Sequence, residues 1–418
     1  MTHTSLASWL SYIESQHPSE IELGLERGNT VLARLNLSRP KHKVITVAGT
    51  NGKGSTCAML TQYLCAQGYS VGTYTSPHFL HFNERIALND SPCDDDMLCR
   101  AFDAIETARE GIALTYFEFS TLAALWIFDQ SKLDYWVLEV GLGGRLDSVN
   151  MVDTDVAVVT SIALDHMDWL GDNLDVIARE KTGIARKDKL LISGVVNPPS
   201  TIASTAQEIG AILRQKSEDF HFSRNGGVWS WLGEDVQYDN LPVPALPLQN
   251  AATVVAVLVY MGFTPTQADL STLFASAQLT GRFQQVASSP DVYIDVAHNP
   301  EAAVELSLRL SELPTKPIAV CGMLKDKDID AVMDHLSGSF SRWFCCDLPG
   351  PRGAKASELI KSISQQSHKS SLEEYSFQSV REAFAAALAQ ARVEHCPVIV
   401  FGSFVTVSEY LALSQLKE

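Results

Sequence analysis

From residue 42 to about 200 the chain alternates short β-branched runs with segments of helical period. The apolar runs predict strands over Lys43–Val47, Ser70–Tyr74, Tyr135–Glu139, Asp155–Ser161 and Leu190–Val195. Apolar residues spaced three and four apart predict helices over Ser55–Gln67, Asp95–Arg109, Phe117–Phe128, Leu174–Arg186 and Thr201–Lys216. Such alternation predicts a mostly parallel sheet with helices on both faces. Residues 219–245 change character. Short Trp, Tyr and Val pieces separated by Gly, Asn and Pro predict a small antiparallel appendix, followed by helices over Asn250–Met261 and Thr266–Ala277. A second alternating set starts near residue 285, with strands over Val292–Val296, Pro317–Cys321, Trp343–Asp347 and Val398–Phe401. Helices over Glu301–Leu313, Asp328–Leu336, Ala356–Ser364, Val380–Ala391 and Val405–Leu416 accompany these strands. Gly281 and the Ser288–Pro290 run interrupt the pattern within Leu279–Pro290, so the expectation is an α/β chain of two domains, 1–284 and 285–418.

Bulk properties narrow the partners. A chain of 418 residues exceeds one compact core, and 46% hydrophobic with 19% charged residues is an ordinary globular composition. The formal net charge of −17 argues against nucleic-acid binding, so anionic ligands must be met by local lysines and arginines. No apolar run is long enough to cross a membrane and no secretory pattern opens the chain, which predicts a cytoplasmic location. The eight cysteines form no C-x-x-C pair, and Cys57, Cys65, Cys321, Cys345, Cys346 and Cys396 lie in apolar contexts that predict buried thiols.

The stretch Val44–Ser55, VITVAGTNGKGS, runs an apolar strand into a glycine-rich turn and then a helix. Backbone N–H groups and a helix N-terminus can converge there on phosphate oxygens, with Lys53 as a fixed positive charge. The spacing departs from G-x-x-x-x-G-K-[ST]: Val47 stands where the first glycine belongs, and Gly54 follows the lysine, with hydroxyls only at Ser55 and Thr56. The loop Gly49, Thr50, Asn51, Gly52, Lys53, Gly54 and Ser55 therefore reads as a phosphate cradle that lacks the usual magnesium-ligating hydroxyl.

Other residues stand at strand ends, where ligands of parallel sheets bind. Glu139 closes an apolar strand and reads as a Mg²⁺ ligand or as a solvent-facing strand-end charge. His166, flanked by Asp165 and Asp168, follows a third strand and is a second metal-ligand candidate; alone it would be a structural histidine. Lys181 on its helix reads as an ordinary surface charge. Arg145, Arg282, Arg352 and Lys355 beside glycines are each an anion contact or a plain loop residue. Asp295 and His298 end the first strand of the second domain, where they face a cleft or simply begin a capped helix at Asn299–Pro300. Two α/β domains in series can turn their switch-point crevices toward each other, a seat for joining two substrates.

Together these motifs resemble the folylpolyglutamate synthase and dihydrofolate synthase family, within the Mur-ligase group of ATP-dependent amide-forming enzymes. The resemblance runs through Leu23–Arg27 (LGLER), Gly49–Ser55 (GTNGKGS), Tyr74–Pro77 (YTSP), Asn83–Ile86 (NERI), Leu138–Asp147 (LEVGLGGRLD), Leu164–His166, Glu180–Ile184 (EKTGI), Gly281–Phe283 (GRF) and Asp295–Pro300 (DVAHNP). It implies a P-loop ATPase-like N-terminal domain and a Rossmann-like C-terminal domain. By resemblance, Ser76 binds magnesium with Glu139 and His166, and Lys181 is the lysine that CO₂ converts to N6-carboxylysine near a second Mg²⁺. Asn250, Arg282 and Asp295 belong to the ATP site, with Arg282 on the phosphates and Asp295 toward the ribose. Leu25, Arg27, Thr115, Phe117, Arg145 and Asp147 line the pterin side, and His298 and Ser403 face the incoming glutamate. The resemblance also implies K⁺ and a monomer that works on small molecules. The segment Ala113–Phe119 with Ser76–His78 is closest to the bifunctional bacterial form. The implied reaction joins L-glutamate to dihydropteroate and to reduced folates through an acyl phosphate. A monofunctional folylpolyglutamate synthase is the alternative reading. Another Mur-type ligase acting on a UDP-sugar peptide would need a domain ahead of the loop, and a GTPase switch would need an N-K-x-D-like motif that the chain lacks.

Overall fold

The computed structural model describes residues 4–17, 22–37, 42–366 and 373–415. It divides into two compact units, Met1–Ala277 and Gln278–Glu418. The division falls ahead of the expected 284/285 boundary for a local reason. The Gly281–Phe283 turn is bonded into the second unit, where Val296 N–H donates to Gly281 O at 3.0 Å and Phe283 N–H to the Asp295 carboxylate at 2.8 Å.

The first unit is built on eight strands: β1 Lys43–Ala48, β2 Val71–Tyr74, β3 Ile86–Leu88, β4 Ser91–Pro92, β5 Tyr135–Glu139, β6 Val156–Val159, β7 Leu190–Ser193 and β8 Ile212–Gln215. Their order is β4-β3-β2-β5-β1-β6-β7-β8, parallel except where β3 and β4 add an antiparallel edge. The first strand of the chain sits in the middle, with β5 on one side and β6 on the other. Strand order reverses at its carboxyl end, so the Gly49–Gly52 loop emerges at the switch point of the sheet. Helices on both faces bury β1 from Val44 to Ala48, which explains its continuous apolar run. The small sheet follows as β9 His221–Asn225, β10 Val228–Leu232 and β11 Gln237–Pro242, antiparallel throughout. Its Trp231 is buried and donates from Nε1 to Ala252 O, which fastens the appendix to the Leu248–Tyr260 helix.

The second unit has β12 Gln284–Ser288, β13 Asp291–Ile294, β14 Ile318–Cys321, β15 Arg342–Cys346, β16 Glu373–Phe377 and β17 Val398–Phe401. The order is β12-β13-β17-β14-β15-β16, with only the β12–β13 pair antiparallel.

Several elements differ from expectation. Gly210, at φ +79°, ends the Ser200–Ile209 helix, and the rest of the expected Thr201–Lys216 helix becomes the edge strand β8. The helix beginning at Leu174 stops at Thr182 with Gly183 as its cap. Two N-terminal helices, Leu6–Glu14 and Glu26–Arg34, and the strands β12 and β16 come in addition. The last helix spans Phe404–Gln415, and its expected end Leu416 lies outside the described residues. All eight cysteines are free thiols; Cys65 is only half-buried, and Cys93 joins the buried set.

Candidate functional site

The loop after β1 is held in place by its neighbour strand. Thr50 N–H donates to Ser161 O at 2.9 Å and Asn51 N–H to Ser161 Oγ at 3.0 Å, while Thr160 Oγ1 donates to Asn51 O at 2.6 Å. Thr50 Oγ1 and Ala163 exchange two further bonds. Gly49 and Gly52 take φ of +153° and +85°, conformations that disfavour any Cβ. A Cβ on Gly52 would stand 2.4 to 2.8 Å from three atoms of the Asn250 side chain. Lys53 opens the helix Lys53–Ala66, and its Nζ donates to Gly49 O at 2.9 Å and Thr50 O at 3.1 Å. The ammonium is thus folded back over the loop at the N-terminus of a 14-residue helix.

Around this cradle lie buried polar atoms without a partner. Among the described residues Ser55 Oγ, Thr56 Oγ1 and Asn250 Nδ2 have no hydrogen bond, and all three residues are buried. An unmet buried donor is costly, about 1–3 kcal/mol, and a bound phosphate or nucleotide base is the kind of group that would satisfy it. The first unit therefore brings the Gly49–Ser55 loop and Asn250 together.

Glu139 ends β5 and His166 lies beyond the end of β6, so the two flank the β1 loop from opposite sides. Ser76, whose peptide bond to Pro77 is cis, donates its N–H to Glu139 Oε2 at 3.1 Å. Glu139 is buried, whereas the His166 side chain is 39% exposed, at 4.0 Å from Asp165. Among the described residues, no group of three or more His, Cys, Asp and Glu side chains is placed to hold a metal by itself. A hard cation also accepts hydroxyl, phosphate and water oxygens beside a carboxylate.

Lys181 departs from the reading as a solvated helix charge. It is buried, and its Nζ donates to Gly49 O at 3.1 Å, beneath the phosphate loop. The turn of its helix also holds the loop after β5: Arg145 N–H donates to Glu180 O, and the Arg145 guanidinium binds Glu180 Oε1 at 2.8 and 3.0 Å. Asp147 is buried in that loop and accepts N–H bonds from Leu142 and Val149, both at 2.9 Å. Burial pushes its pKa up to about 6, against the pull of those bonds and of Lys53.

Leu25 and Arg27 start the second N-terminal helix. Arg27 bonds the buried Glu118 carboxylate, which also caps Thr115 N–H at 2.7 Å in a capping box. Phe117, in the same turn, lies 5.9 Å from the Tyr74 ring. Arg27, Thr115 and Phe117 are therefore brought together, with Glu118 as a link that the sequence reading omitted.

In the second unit, Asp295 leaves β13 with both carboxylate oxygens occupied, by Phe283 N–H at 2.8 Å and Ala297 N–H at 2.7 Å. Burial raises its pKa, and the nearby Arg282 opposes that rise. The Arg282 guanidinium lies 5.4 Å from the Phe404 ring centre. His298 Nδ1 contacts Val296 O at 2.8 Å. Ser403 Oγ is a helix cap here, accepting Thr406 N–H at 3.0 Å and pairing with Thr406 Oγ1 at 2.8 Å.

Against known proteins, the Mur ligase middle domain matches residues 47–240, and the glutamate ligase domain of Mur ligases matches residues 281–404. The dihydrofolate synthase/folylpolyglutamate synthase of Escherichia coli K12 is 47% identical over 408 residues, covering 97% of this chain and 94% of that protein. The chain belongs to this family. The Haemophilus influenzae protein of the same name is 41% identical over 98% of this chain and 97% of its own length. An Escherichia coli FolC structure in complex with DHPP and ADP superposes with a TM-score of 0.94 at 45% identity, covering 100% of this chain and 99% of that one. A Yersinia pestis bifunctional enzyme complexed with AMPPNP and Mn ion gives 0.92 at 44% identity, each chain covered to 99%. Family membership makes this chain an ATP-dependent ligase with the two-domain Mur-ligase fold. Ser161, Thr160, Glu118 and Phe404 hold the site residues in place and were not singled out from the sequence. A hydroxyl pair at the end of β6 was the available signal for the first two.

Proposed function

We propose that the chain joins L-glutamate both to dihydropteroate and to reduced folates, at the cost of ATP, through an acyl phosphate. The observation that carries this reading is the cradle itself, a left-handed Gly52 packed on Asn250 with the unmet donors Ser55 Oγ, Thr56 Oγ1 and Asn250 Nδ2 around it. Backbone N–H groups from Asn51 to Ser55 bind the phosphates, and Lys53 moves from its carbonyl partners onto the β- and γ-oxygens. Ser76, Glu139 and His166 would hold Mg²⁺, which when bound neutralises charge on the phosphoryl oxygens. Lys181, carboxylated by CO₂ with release of two protons from its ammonium, would turn from a cation into an anionic ligand for a second Mg²⁺, with K⁺ as a further ion.

In the first step an acceptor carboxylate oxygen attacks the γ-phosphorus, and the bond to ADP breaks. In the second, the glutamate α-amine attacks the acyl carbon, phosphate leaves, and the nitrogen loses a proton. Leu25, Arg27, Thr115, Phe117, Arg145 and Asp147 seat the pterin side. Arg282 and Asp295 serve the nucleotide. His298 and Ser403 serve glutamate, Ser403 through its place at the helix start. The protein acts as a cytoplasmic monomer on small molecules, without nucleic-acid or membrane partners; among the described residues no helix is long and apolar enough to cross a membrane. An acceptor labelled with ¹⁸O in its reacting carboxylate tests the chemistry. One label should appear in the released phosphate for each amide formed, and unlabelled phosphate would rule out the acyl phosphate.

A further inference from the structure

Behind Ser76 lies a buried cation that the reaction described so far does not use. Arg85 ends the short turn Phe82–Arg85, and its O accepts Thr75 N–H at 2.9 Å, one residue from Ser76. The residue is 9% exposed. Its guanidinium lies to one side of an edge-to-face ring pair, 5.7 Å from the Phe82 centre and 5.4 Å from that of Tyr116, and Tyr116 stands between Thr115 and Phe117. Its Nε donates to His78 Nδ1 at 2.7 Å. Among the described residues Nη1 and Nη2 have no hydrogen bond, and no carboxylate pairs with the charge. The neighbouring Glu84 spends its oxygens on the N–H groups of Phe79, Leu80 and His81. A buried arginine is ordinarily paired, and aromatic faces compensate its lost hydration only in part. The two free Nη groups form a fork matched to a carboxylate.

We propose that Arg85 receives the non-reacting carboxylate at the glutamyl end of a folate acceptor, and so sets the balance between the two acceptors. This rests on the reading given under Proposed function. Dihydropteroate carries one carboxylate, the one that is phosphorylated. A reduced folate carries two, and the second stays ionised while the first reacts. In a chain of net charge −17 that second anion needs a local cation, and Arg85 is a buried one without an acid partner beside Ser76.

The test is the ratio of kcat/KM for tetrahydrofolate to kcat/KM for dihydropteroate, at saturating ATP and glutamate, in wild type, Arg85→Gln and Arg85→Lys. Loss of a charge-assisted hydrogen bond predicts that the ratio falls roughly 10- to 100-fold in Arg85→Gln. Partial recovery is expected in Arg85→Lys. The ratio cancels the fraction of folded enzyme, so a structural role for Arg85 would lower both rates and leave it unchanged; that result overturns the proposal. If Arg85→Gln gives no active protein, wild type and Arg85→Lys are compared on a reduced folate whose tail is γ-aminobutyrate instead of glutamate. Wild type should lose more than Arg85→Lys when the second carboxylate is removed, and equal losses overturn the assignment. A wild-type protein that turns over neither acceptor would fail the underlying reading instead.

Discussion

Gly52→Ala tests the cradle at its tightest point. The new methyl group enters a backbone at φ +85° and lies 2.4, 2.6 and 2.8 Å from Asn250 Oδ1, Nδ2 and Cγ. The left-handed conformation costs a residue with a Cβ about 1–2 kcal/mol. Overpacking a filled site costs about 1–3 kcal/mol more. Together they set a loss of about 2–5 kcal/mol, taken either as stability or as a displaced loop with weaker phosphate binding. Urea unfolding followed with calorimetric titration of a non-hydrolysable ATP analogue separates the two. Asn250→Ala in the Gly52→Ala background removes the three clashing atoms, so it should recover the packing part of the stability and leave the backbone part. A Gly52→Ala protein with wild-type stability and nucleotide affinity would refute the cradle. A double variant with no recovery of stability would refute the contact with Asn250.

Lys53→Ala should leave the melting temperature within a few degrees and abolish ATP-dependent ligation, as followed by phosphate release; near-normal turnover would remove the lysine from the mechanism. Lys181→Ala should be inactive and regain measurable turnover with added small carboxylic acids, whereas full activity without them would end the carbamate idea. Asp147 has its pKa raised from 3.8 to about 6 by burial, so its neutral form favours the folded state. That stabilisation is present below about pH 4 and is lost as pH rises through about 6. Asp147→Asn should flatten this part of the curve of urea midpoint against pH, and an unchanged slope would contradict the burial argument.

The central strand, its glycine turn and the following helix were legible because each local signal agreed with its neighbours: a buried apolar run, a turn and a lysine at a helix start. Glu139 was legible for a related reason, since a lone carboxylate closing a buried strand has few places to go. Lys181 was not. Helical period shows which face of a helix is apolar, and it cannot show that the end of this helix lies beneath Gly49, 132 positions away in the chain. Arg85 was hidden likewise, because one of its two aromatic neighbours, Tyr116, comes from a distant helix. The expected Thr201–Lys216 helix failed at Gly210, where a left-handed cap outweighed a pattern that continued beyond it. Strand β16 was missed because its sequence, EEYSF, is polar and lies at the edge of its sheet. The resemblance supplied the proposed pairing of Ser76 with Glu139 that spacing alone left open, and the structure brings the two residues together through a 3.1 Å bond from Ser76 N–H to Glu139 Oε2.

The most direct measurement incubates the purified protein with ATP, Mg²⁺ and L-glutamate, adding dihydropteroate or tetrahydrofolate separately, and weighs the products by mass spectrometry. Both acceptors should gain one glutamyl residue for each phosphate released. Release of phosphate with neither acceptor extended would contradict the folate assignment, and extension of only one would contradict the dual activity.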